Sequence, residues 1–163
     1  MSDFKENGFI VLKSFLDKAE LVKLREEVKK TFALQIKHVL GEVVDINDDP
    51  AFESAMYKFF QKDLQTFMNC GKQVQHLISL HRLGTDPHLV KQLQDLGLAF
   101  PVISVRPSML FNSRYLAKKE EYWKLGSHQD WRSSQGSLDS VTVWFPLIDA
   151  GADIGALDRK SVV

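Results

Sequence analysis

The chain has a single cysteine, Cys70, among its 163 residues. That excludes an internal disulfide and a Cys-rich zinc module, and makes a reducing cytoplasm the expected compartment. No apolar run approaches the roughly 20 residues that a membrane-spanning helix needs. The opening "MSDFKENGFIV" has no basic stretch followed by a long apolar core, so no signal peptide is read there. An excess of one charge is also lacking, since 21 Lys and Arg balance 21 Asp and Glu. No bulk field therefore draws the chain to nucleic acid, and neither nucleic acid nor membrane is an expected partner. Internal repeats and low-complexity linkers are missing as well. Apolar residues are plentiful: 44% of the chain is hydrophobic and 10% aromatic. That is too much for disorder and suits one domain with one sizeable core.

The first half reads as helices. A β-branched run in "NGFIVLKSFL" predicts a short strand over residues 8–12. Asp17 then caps a helix with Glu20 in its first turn and Leu21, Leu24, Val28 and Phe32 on one face. A second helix is predicted over residues 50–69, with Phe52, Met56, Phe59, Phe60, Leu64 and Phe67 as its buried stripe. A third covers residues 72–83. The fourth has clear punctuation, with Asp86 as cap, Pro87 at the first position and Gly97 just past the end.

After Gly97 the character changes. "PVISVRPSMLFN" and "SVTVWFPLID" are rich in Val, Ile, Phe and Trp, which favour strands. Pro107 and Pro146 would sit at a bulge, bend or edge. Helices followed by strands predict an α+β domain in which helices support a sheet.

The stretch "KLGSHQDWRSSQGS" holds the chemistry. On a strand, His128 and Asp130 share a face and could aim an imidazole nitrogen and a carboxylate oxygen at one point. One neutral nitrogen and one anionic oxygen suit a first-row metal such as Fe(II). Chance produces such a tripeptide in roughly one chain in several of this length, so on its own it is better read as a solvated loop or a local hydrogen bond.

Its neighbours add weight. "PSMLFNSRY", "GSHQDW", "QGSLDSVTVWFPLIDA" and "DIGAL", in that order, resemble the phytanoyl-CoA dioxygenase family of Fe(II)/2-oxoglutarate oxygenases. "FKENGFIVLKSFLDKAELVKLREEV" is similar to that family's opening strand and helix. The resemblance implies N-terminal helices packed on a double-stranded β-helix, the cupin-like jelly roll. It implies His128 and Asp130 as iron ligands. Met109, Asn112 and Trp144 would line the site of 2-oxoglutarate, the co-substrate. Lys72 would neutralise a co-substrate carboxylate, although a solvated helix lysine is the better reading of it, and Trp131 would shape the substrate side, where core packing explains it equally. The implied activity uses O2 to hydroxylate an aliphatic C–H bond of a small organic molecule.

The family pattern continues into a distal histidine, the third iron ligand, and an arginine that clamps 2-oxoglutarate. After Leu157 this chain has only "DRKSVV". Those six residues match the translation of a common sequencing adapter, so 158–163 are expected to be a non-native tail. Residues 1–157 are then the N-terminal part of one domain whose jelly roll is incomplete and which is inactive alone. His38, His76, His81 and His88 fall in predicted helices and match no ligand position. Lys118, Lys119 and Lys124 could meet an anionic substrate but are better read as a solvated charged loop. Two other readings stay open: a non-catalytic jelly-roll binding module, and a helical interaction domain whose strand-like half is only structural. Composition and motifs fix neither the substrate nor the oligomeric state.

Overall fold

A computed structural model describes residues 2–111, 130 and 139–149. Within them the chain forms six helices: α1 (Ser2–Asn7), α2 (Lys18–Leu40), α3 (Asp49–Lys62), α4 (Leu64–Val74), α5 (Ile78–Gly84) and α6 (Pro87–Asp95). No strand occurs among the described residues. The α+β expectation and its partial jelly roll are therefore wrong for this part of the chain, which is all-α.

α2 organises the bundle, packing against α3, α4 and α5. Its start matches the sequence signal, because Asp17 Oδ1 accepts the Ala19 N–H at 2.8 Å and so satisfies an orphan donor of the first turn. Its end is set by Gly41 at φ 71°, whose N–H returns to Lys37 O at 3.0 Å. A left-handed residue there favours glycine. Leu24, Val28, Phe32 and Ile36 form the buried stripe at the four-residue spacing of one helix face.

The predicted 50–69 helix is broken in two at Asp63. There the backbone leaves the helical region (φ −148°, ψ 85°). The carboxylate accepts the Thr66 N–H at 2.9 Å and the Thr66 hydroxyl at 2.6 Å. An aspartate that bonds nearby backbone competes with the helix it interrupts. One residue thus ends α3 and caps α4. The third predicted helix, over residues 72–83, is likewise divided. Gln75, His76 and Leu77 donate three residues back, to Lys72, Gln73 and Val74, and this tight turn separates α4 from α5. α6 begins as expected, with Asp86 Oδ1 accepting from His88 N and Leu89 N at 2.8 and 3.3 Å. Gly97 follows it at φ 111°.

Phe32 and Phe59 are fully buried at the centre. Phe67 packs 5.4 Å from Phe32 and 5.5 Å from Phe59, ring centre to ring centre. Such pairs add about 0.5–1.5 kcal/mol each beyond area burial. A second tie joins α2 to α3. Lys29, almost wholly buried, pairs with Asp49, donates to Ile46 O at 2.5 Å and lies 5.1 Å from the centre of the Phe52 ring. Ser79 of α5 donates to Glu27 of α2.

The runs expected as strands have other partners. Residues 8–12 follow α1 as irregular chain, and the Gly8 N–H turns back to Phe4 O at 2.8 Å. In the 101–111 run, Met109 and Phe111 pack on the helical core, and Phe145 and Leu147 do so from the 139–149 run. Each pair is two residues apart, as on one face of an extended chain. The period-two signal therefore marks a real apolar face, but that face meets helices. Without a neighbouring strand it makes no ladder.

Candidate functional site

Of the two expected iron ligands, the structure places Asp130. Its Oδ2 accepts the Thr142 hydroxyl at 2.8 Å, and the residue is exposed. This bond joins the His-x-Asp stretch to the 139–149 run, two residues before Trp144. His128, Asn112, Trp131, Lys118, Lys119 and Lys124 lie outside the described residues.

The remaining expected site residues separate. Met109 is half-buried and packs against the helical core. Trp144 is 40% exposed and walls a cavity of about 150 Å³. The cavity lies between residues 10–16, α6 and residues 142–145. Ile10 and Leu12 stand on one side, Leu89 and Leu93 on another, and Thr142 and Trp144 on the third. Its polar lining consists of Gln92 and Thr142, and no charged side chain lines it among the described residues. Lys72 is exposed in the last turn of α4.

The upstream histidines do not assemble a site. His76 and His81 stack with ring centres 6.5 Å apart, and His88 Nδ1 lies 3.3 Å from Asp86 Oδ1. No group of three or more His, Cys, Asp or Glu that could hold a metal ion occurs among the described residues. Burial pushes the Cys70 thiol up to about 11, which keeps it protonated and a poor ligand or nucleophile near neutrality.

Sequence reading missed Thr142. In "SVTVW" Thr142 and Trp144 share a face of an extended chain, which marks the hydroxyl as a neighbour of Trp144 but does not name its partner. No family model, curated protein or solved structure matches the chain. Among the described residues no helix is long and apolar enough to cross a membrane.

Proposed function

We propose that this chain supplies part of an Fe(II) site that works with 2-oxoglutarate, in a phytanoyl-CoA dioxygenase-like oxygenase acting on a small organic substrate. The observation that carries the reading is the Asp130–Thr142 hydrogen bond, which joins two of the motif-bearing segments at a carboxylate. The donor chemistry fits. Asp130 offers an anionic oxygen oriented by Thr142, and His128 offers a neutral imidazole nitrogen, the mixture that Fe(II) accepts. Two protein ligands hold such an ion weakly, and a third donor is needed to complete the facial set.

When bound, the iron and 2-oxoglutarate supply the oxidising chemistry, with O2 as the other reactant. The chain's own residues orient and enclose. Thr142 fixes the carboxylate plane, while Met109 and Asn112 are assigned to the co-substrate's surroundings and Trp144 to the neighbouring apolar cavity. A second reading, a non-catalytic binding module, draws support from the apolar cavity beside Trp144. Anaerobic titration with excess Fe(II) and then 2-oxoglutarate separates the two. An iron–2-oxoglutarate charge-transfer absorption requires both on one metal. The oxygenase reading predicts that band in the wild type and its loss in Asp130→Ala; a band equally strong in Asp130→Ala would overturn it.

A further inference from the structure

The cavity beside Trp144 has features that a packing gap lacks. It lies where three separate parts of the chain meet: residues 10–16, α6 and residues 142–145. Ile10, Leu12 and Trp144 stand partly in water around it, each about two-fifths exposed. A flaw inside the core would be sealed, whereas these side chains make an entrance. Thr142 has a double position, lining the cavity and donating to Asp130 Oδ2. The cavity therefore opens beside the carboxylate assigned to the metal.

Volume and lining limit the occupant. Cavities of about 150 Å³ lined by Leu, Ile and Phe accept benzene-sized molecules. Ten of the twelve described lining residues are apolar and none of them is charged, so these walls offer a charged ligand no counter-charge for the hydration it loses. A doubly anionic molecule is a poor match. A neutral ring or short branched alkyl group is a good one, with Gln92 and Thr142 able to meet one hydroxyl or carbonyl.

We infer that this cavity binds a neutral, largely apolar small molecule of about benzene size, roughly six to eight non-hydrogen atoms, or such a group at the end of a larger one. Binding does not depend on metal. That the molecule is the oxygenase substrate rests on the iron reading, because Thr142 would hold it against the Asp130 carboxylate.

Benzyl alcohol is the probe, with glutarate as the charged control of similar size, titrated into metal-free protein. The readout is the indole N–H resonance of Trp144, assigned among the three tryptophans with Trp144→Phe. Benzyl alcohol should shift it saturably at low-millimolar concentration, while glutarate leaves it in place. Leu93→Phe and Leu12→Phe fill the cavity from two different segments of the chain, so the test survives if either change alone spoils the fold. Each should weaken binding at least tenfold. No saturable shift, an equal response to glutarate, or binding that survives both filled walls would overturn the inference. Benzyl alcohol binding without any iron–2-oxoglutarate band would sustain the cavity and remove its role as substrate site. The band without benzyl alcohol binding would do the reverse.

Discussion

Phe111→Ala tests whether the run after α6 is held by helices. The Phe111 ring meets the fully buried Phe32 ring at 5.0 Å and 67°, an edge-to-face contact. Phe111 is the last residue of the described 101–111 run, and Met109 packs beside it on the same core. Truncating a fully buried Phe costs about 3–5 kcal/mol. Phe111 is half-buried, so about half of that applies, and the lost ring pair adds roughly 1 kcal/mol. The expected destabilisation is about 3 kcal/mol, or a Tm lower by about 6–12 °C in a chain of this size. Phe100 is the control: it is 92% exposed, and Phe100→Ala should stay within about 0.5 kcal/mol of the wild type. Urea unfolding followed by far-ultraviolet circular dichroism measures both. Equal midpoints for the two variants would refute the packing of this run on the bundle.

Further outcomes follow from the same structure. Hydrogen bonds from Lys29 and then Arg25 hold the Asp49 carboxyl below its ordinary 3.8. The stability they lend is fully present above that pH and is lost as pH falls through the folded-state value. Acid titration of Asp49→Asn should show a shallower loss below pH 3.8 than the wild type; because the Asp49 side chain is 57% exposed, the difference should be modest. Cys70, buried and with its thiol raised to about 11, should resist alkylation at pH 8 until the protein is unfolded, and rapid labelling of the native chain would contradict that burial.

Helix starts were legible wherever a side chain acts locally. Asp17 and Asp86 bond N–H groups two or three residues away, and such geometry is written in adjacent residues. The buried stripe of α2 was legible for the same reason. The break at Asp63 was missed because the aromatic spacing runs on across it, from Phe59 and Phe60 to Phe67. All three rings do reach one cluster, but from two helices. The strand error has a different source. Alternation at Met109 and Phe111, or at Phe145 and Leu147, specifies a buried face and says nothing about what covers it. Only tertiary packing decides between a strand and a helix surface as that cover. In the site, Asp130 was named from its motif, whereas its bond to Thr142 spans twelve residues and could be seen only in three dimensions.

The central claim is that His128 and Asp130 hold Fe(II) together with 2-oxoglutarate. The most direct measurement is the anaerobic iron–2-oxoglutarate absorption in the wild type, His128→Ala, Asp130→Ala and Asp130→Glu, recorded with excess Fe(II). The wild type should give the band. Both alanine variants should lose it, since water replaces neither the imidazole nor the anionic oxygen. Asp130→Glu should be poor as well, because the added methylene displaces the carboxylate from the place Thr142 gives it. A band that persists at wild-type strength in Asp130→Ala would contradict the account.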